Sequence, residues 1–186
     1  MNLTWTGTDV LHCTKYPKHS KKTKYVYMFL LRMVVKLADI FVQKHVVVSE
    51  HLLPEMKLKK PIIVQNNPVW YAEPLPKKPH KGFNILYYQG IGSNQVFMNW
   101  LYGKDVVGEI KNLFPELNFI EVSGSRDMKE IYPIIDFYLR PNRHDGDPRM
   151  VRECILNNIP YYHSWENPNV QEVFESITEV IRNERL

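Results

Sequence analysis

Twice along this chain, short runs rich in β-branched and aromatic residues alternate with longer stretches of helical periodicity. That order admits few architectures other than a parallel sheet with crossover helices. The first round predicts a strand at Leu3 to Trp5, a helix from about Tyr25 to Gln43 and a strand at His45 to Ser49. A short helical turn near Leu52 to Met56 and a strand at Ile62 to Gln65 complete it. The second begins with a strand at Phe83 to Gln89, followed by a helical region over Val96 to Phe114 broken near Gly103, and a strand at Asn118 to Val122. A short helix from Met128 to Ile131 leads to a strand at Asp136 to Leu139, a helix at Pro148 to Asn157, a strand at Ile159 to Tyr162 and a closing helix at Val170 to Arg182. Between the rounds, Pro68, Pro74, Pro76 and Pro79 exclude a regular helix or a central strand. The expected division is therefore a first α/β part over residues 1–67, a linker over 68–82 and a second α/β part over 83–186.

The chain has 186 residues, 44% hydrophobic and 24% charged, the balance of a globular α/β protein with a real core. Cys13 and Cys154 lie far apart with no metal-ligand spacing, which excludes a zinc ribbon or a disulfide framework and fits a reducing, cytoplasmic setting. Met1 to Asp9 show no apolar leader segment. The apolar stretch from Tyr25 to Val42 is interrupted by Arg32, Lys36 and Asp39, so it reads as an amphipathic helix rather than a membrane span. The net charge of +4 is modest, yet Lys15, Lys18, Lys21, Lys22 and Lys24 gather just ahead of that helix. Such a cluster is either a solvated basic loop or a peripheral contact with anionic lipid heads or phosphates. No nucleic-acid recognition motif accompanies it, and no nucleic-acid partner is expected.

The chemistry concentrates in the segment from Arg140, just after the strand at Asp136 to Leu139, to the helix that opens near Pro148. Proline is tolerated at a helix start because the missing N–H has no partner there. The remaining N–H groups and the helix dipole favour an anion, and Arg140, Arg143 and Arg149 add charge-assisted contacts suited to a diphosphate. Asp145 and Glu153, eight positions apart, stand one before the helix and one inside it. Two readings stay open at this level. Both carboxylates serve one ligand, or Asp145 and Asp147 cap the helix while Glu153 pairs in solvent with Arg149. Asp145-Gly146-Asp147 has the letters of a metal-binding Asp-x-Asp motif, but its place before a helix near the end of the chain speaks against a metal. The seven histidines show no ligand spacing, and His144 is singled out only because it adjoins Asp145.

Asp145-Gly146 with Glu153 resembles the acidic motif of retaining GT-B glycosyltransferases, particularly glycosyltransferase family 4, in which a Glu-Gly pair precedes a second Glu by the same interval. The other landmarks follow in the family's order. Trp5-Thr6-Gly7-Thr8-Asp9-Val10 resembles its acceptor-side loop, and Ala38-Asp39 with Val46-Val47-Val48-Ser49-Glu50 resembles its next strand. Ile62 to Val69 resembles the crossing into its second domain.

The resemblance implies a GT-B-like α/β fold. A Rossmann-like parallel-sheet C-terminal domain binds the nucleotide sugar, and a shortened Rossmann-like N-terminal part lies on the acceptor side. It implies transfer of a hexose from a nucleotide-diphosphate sugar to a glycan, lipid or protein acceptor, with retention and with no cofactor beyond that donor. The alternative is a non-catalytic sugar-nucleotide-binding subunit whose cleft a partner chain or a second copy completes. By position, Glu153 would bind the ribose hydroxyls, and Asp145, with Arg140 and His144, would serve the sugar and the leaving diphosphate. Gly146, Asp147, Arg149 and Arg143 would hold the diphosphate. Gly90 and Gly92 would permit close backbone approach, and Ser125 would border the base. The family places an Arg and a Lys soon after the first of these glycines, whereas Gly90 to Gln95 here carries no basic residue before Lys104. Diphosphate binding would then fall to Arg140, Arg143 or Lys104.

Overall fold

A computed structural model describes residues 2–5, 23–48, 50–55, 58–66, 68–69, 73–124, 126–145 and 147–184. The chain is α/β and divides into two compact units. The first comprises Met1–Pro68 with Asp145–Asp147, and the second Val69–His144 with Pro148–Leu186.

In the first unit, β1 (Asn2–Trp5), β2 (Lys44–Val47) and β3 (Ile62–Val64) form a parallel sheet in that order. The helix α1 (Thr23–Phe41) connects β1 to β2, and a 3-10 turn spans Glu50–Glu55. Parallel strands need such a crossover because a tight hairpin joins only antiparallel ones. Among the described residues its core holds buried Val47 and Val48, with Val35, Leu58, Ile62 and Val64 packed against them. Beside it, His45 Nε2 lies 2.7 Å from Asp39 Oδ1, both residues buried. The backbone N–H groups of Lys59 and Lys60 donate to the same carboxylate at 2.8 and 3.2 Å. Burial works to raise the Asp39 carboxyl, but the Lys59 N–H, His45 and the Lys60 N–H outweigh it and hold the group below the ordinary value of 3.8.

The second unit carries a four-stranded parallel sheet, β4 (Asn84–Tyr88), β5 (Asn118–Val122), β6 (Phe137–Arg140) and β7 (Tyr161–His163), in the spatial order β5-β4-β6-β7. Its helices are α2 (Gln95–Leu101), α3 (Lys104–Leu113), α4 (Met128–Ile131), α5 (Arg149–Leu156) and α6 (Val170–Glu184). The two-residue period of a strand sorts the sheet's side chains to its two faces. Ile85 and Tyr87 of β4 with Phe137 and Leu139 of β6 join Val106, Val107 and Ile110 of α3 and Val173 and Ile177 of α6 in one core cluster. Leu86 and Tyr138 face the other way, toward Tyr132, Ile135, Val151 and Cys154. Both faces of the central strands are therefore covered, and the strands read as unbroken apolar runs rather than alternating ones.

The helical region expected from Val96 to Phe114, broken near Gly103, is two helices with the break at that glycine. Gly103 stands between them with φ +64°, and a Cβ added there would lie 2.0 Å from the carbonyl oxygen of Pro141. Glycine is needed at that point for its left-handed backbone and for the close approach of the chain after β6. Asn94 caps α2 by accepting from the Phe97 N–H at 3.1 Å, which starts the helix at Gln95. Residues between the two expected α/β parts are tied to the second sheet's entry end. Leu75 N–H donates to Asn157 Oδ1, Lys78 N–H to the Pro133 carbonyl, and Lys77 Nζ to the Ile135 carbonyl and to Asp136 Oδ1. Buried Asp136 also accepts from the Asn84 N–H at 2.8 Å and lies 3.2 Å from His80 Nε2.

Candidate functional site

Strand order reverses between β4 and β6: the chain moves from β4 outward to β5, then returns to the other side of β4 with β6. In open α/β sheets the crevice outside the carboxyl ends of the strands at such a reversal is where ligands bind. The residues found there are those after Tyr88, namely Gly90 and Gly92, and those after Leu139, beginning with Arg140.

Arg140 ends β6 and is buried. It shares a strand face with Tyr138, two residues earlier, and its Nη1 donates to the Tyr138 hydroxyl at 3.1 Å. That hydroxyl in turn donates to the sulfur of Met150 on α5 at 3.7 Å. The rings of Tyr102 and Tyr88 lie 5.6 and 6.0 Å from the guanidinium carbon, and their electron-rich faces favour a cation. A planar cation held in this way is oriented before any ligand arrives. A guanidinium has the planar fork of donors that matches phosphate geometry.

Glu153, the fifth residue of α5, is 2% exposed. The reading in which it pairs in solvent with Arg149 therefore does not hold. Its Oε2 accepts a 2.6 Å bond from the Tyr132 hydroxyl. Burial above all, and then the neighbouring Cys154 and Glu153, push the Tyr132 phenol far above its usual range, so it stays a donor to the carboxylate. Cys154 is fully buried, and burial followed by the Glu153 charge pushes its thiol up, which leaves it inert beside the site.

Arg143 has a different employment from the one expected of it. Its Nη1 and Nη2 donate to the two carboxylate oxygens of Asp105 at 2.8 and 2.6 Å, and Nη1 also donates to the Trp100 carbonyl at 2.6 Å. The Arg143 backbone N–H bonds the Leu101 carbonyl at 2.9 Å. The Arg143 hydrogen bonds, against a smaller opposing effect of burial, hold the Asp105 carboxyl below its usual range. In this arrangement Arg143 fastens the chain after β6 to the α2–α3 turn.

Gly90 is buried, and an added Cβ there would lie 2.1 Å from the Tyr102 ring, so the close approach it permits is that of the aromatic beside Arg140. At Gly92 the nearest side chain is that of Met98. His144 is buried and Arg149 half-buried, both in the second unit, with Pro148 at the N-cap position of α5 rather than inside the helix. Asp145, buried, and Asp147, half-buried, group with the first unit. Gly146, Ser125 and Lys15 to Lys22 lie outside the described residues. The side chains that sequence reasoning missed are Tyr132, Tyr138, Tyr88, Tyr102 and Asp105. Only Tyr138 had a local signal, its two-residue spacing from Arg140 on a strand. Among the described residues no group of three or more His, Cys, Asp or Glu side chains could hold a metal ion.

No protein-family model matches this sequence, and no curated protein matches it. Solved structures do. The pneumococcal O-GlcNAc transferase GtfA, crystallised with UDP and GlcNAc, covers 100% of this chain with a TM-score of 0.60 at 13% identity, over 46% of its own length. A mutant of S. aureus TarM, crystallised with Fondaparinux, alpha-GlcNAc-glycerol and UDP, covers 97% with a TM-score of 0.59 at 11% identity, over 43% of its own length. A GtfA/B complex structure covers 98% with a TM-score of 0.51 at 15% identity. The likeness is one of fold, that of GT-B glycosyltransferases with parallel-sheet α/β units, and this chain spans less than half the length of GtfA and TarM.

Proposed function

We propose that this chain carries the nucleotide-sugar site of a glycosyltransferase that moves a hexose from a nucleotide-diphosphate donor to a glycan, lipid or protein acceptor, with retention. The observation that carries the proposal is that the second unit, whose strand order reverses between β4 and β6, holds both an oriented buried arginine, Arg140, and a buried carboxylate, Glu153. Supporting it, GtfA and TarM share the fold and were crystallised with UDP.

Breaking a glycosidic bond to a diphosphate leaves negative charge on the departing group, and fixed donors aimed at that charge lower the barrier. Arg140 supplies such a donor, with the Tyr138 hydroxyl and two aromatic faces setting its direction. Glu153 is assigned to the ribose hydroxyls, since a carboxylate oxygen can accept from more than one donor. His144 is assigned to the transferred sugar, and Arg149 to the diphosphate end of the donor. No cofactor beyond the donor enters this scheme.

A thermal-shift series with UDP-, GDP-, ADP- and TDP-sugars tests the reading, because a ligand that binds only the folded state raises its stability. One of the four should raise the melting temperature. Arg140→Ala should abolish that rise, and Glu153→Gln, which keeps an acceptor for Tyr132, should reduce it. Should no sugar nucleotide bind, or should both variants bind as the parent does, the site lies elsewhere.

A further inference from the structure

Helix α1 is apolar on both sides. Inward it offers Val35 to the first unit's core, yet Phe29, Leu30, Met33, Leu37, Ile40 and Phe41 are all exposed, from 45% at Met33 to 76% at Phe41. These positions recur at three- and four-residue steps and form a continuous stripe. An all-round hydrophobic helix has its second face covered by something other than water.

Charge decides what covers it. Within Thr23–Phe41 the charged residues are Lys24, Arg32, Lys36 and Asp39, and the one acid is buried against His45. Lys36 is exposed and stands three residues after Met33 and four before Ile40, directly beside the stripe. In the sequence immediately ahead of the helix come Lys15, Lys18, Lys21 and Lys22. A second copy of the chain would set these cations against themselves, because a two-fold interface brings the same patch from both sides together. A nucleic-acid backbone would leave the apolar stripe without a role.

We propose that the outer face of α1 docks on an anionic lipid surface. Its phenylalanines and aliphatic side chains enter the boundary between headgroups and acyl chains, and the basic residues reach the phosphates. From Phe29 to Phe41 the stripe runs about 18 Å along the helix axis, short of a bilayer's apolar thickness of about 30 Å, so the helix lies in the plane of the interface. No helix among the described residues is long and apolar enough to cross a membrane. This inference stands apart from the donor-site reading, since no donor-site residue belongs to α1.

The test is flotation of the full chain with vesicles of phosphatidylcholine alone and of phosphatidylcholine with about 30 mol% phosphatidylglycerol. The parent should float with the anionic vesicles, more weakly at high salt, and the double variant Leu37→Glu, Phe41→Glu should lose more than about tenfold in partitioning. Circular dichroism checks that the variant keeps its helices. If it does not, Ile40→Gln on the same stripe is read in its place and should weaken flotation too. Equal flotation with both vesicle types, no flotation, or flotation indifferent to these substitutions overturns the proposal. So does a dimer in sedimentation that the double variant dissolves.

Discussion

The two parallel sheets are built from the same ladder chemistry but clothed differently. In the second unit, β4 and β6 lie between two apolar clusters, and α3 and α6 turn their apolar stripes inward. In the first, Val47 and Val48 are the buried centre of the described core, and α1 turns a comparable apolar stripe away from it. A buried stripe in one unit and an exposed one in the other, at similar spacing, show that periodicity marks an apolar face without saying whether this chain itself covers it. What separates α3 from α1 is what packs against each, and that is a property of topology.

The sharpest way to break the contrast is to truncate one side chain from each stripe. Ile110→Ala, at a fully buried position of α3, should lower unfolding free energy by about 2–5 kcal/mol in chemical denaturation. Leu37→Ala, 53% exposed on α1, should change it by less than about 0.5 kcal/mol. Comparable losses at the two sites would mean that the α1 stripe is covered after all.

Next in size is Gly103→Ala. A left-handed φ, with the Pro141 carbonyl where the methyl must go, should destabilise the second unit by about 1–3 kcal/mol. Because that carbonyl immediately follows Arg140, the same change should also blunt any sugar-nucleotide thermal shift. A destabilised protein with an unaltered ligand response would separate the turn from the site.

The smallest expected effect sharpens the picture of the first unit. The Asp39 carboxyl titrates lower when folded than when unfolded, so its contribution is complete above the ordinary value of 3.8 and fades as pH falls through the folded value. Asp39→Asn should flatten the parent's loss of stability as pH falls below about 4 while leaving its slope near neutrality unchanged. An unaltered acid limb in urea melts taken at several pH values would assign that acid sensitivity to other carboxylates.

Much of the fold was legible because it is written locally. The order of strands and helices follows from period-two and helical spacing, and the segment after β6 stood out by its three arginines and its helix-opening Pro148. What stayed hidden were pairings over distance. Nothing near Arg143 announces Asp105, 38 positions upstream, and nothing near Glu153 announces Tyr132. Gly103 was visible as a break, but its reason, the approach of Pro141, exists only once β6 has taken its place beside β4. The exposure of α1 was hidden for a related reason. Arg32, Lys36 and Asp39 suggested a polar outer side, yet Asp39 is turned in to His45 and the bonds of Lys59 and Lys60.

The proline-bearing stretch ahead of β4 has a consequence in the language of folding order. Leu75 takes its partner from Asn157, 82 residues later, and Lys77 and Lys78 take theirs from Pro133 to Asp136. During synthesis those partners emerge long after the stretch itself, so it has to wait without its final bonds until most of the second unit exists. Closing so long a loop adds little more entropy loss than closing one half its length, about 0.6 kcal/mol per doubling. The delay is therefore one of sequence rather than of energy, and in pulsed hydrogen exchange the amides of Leu75 and Lys78 are the ones to gain protection late.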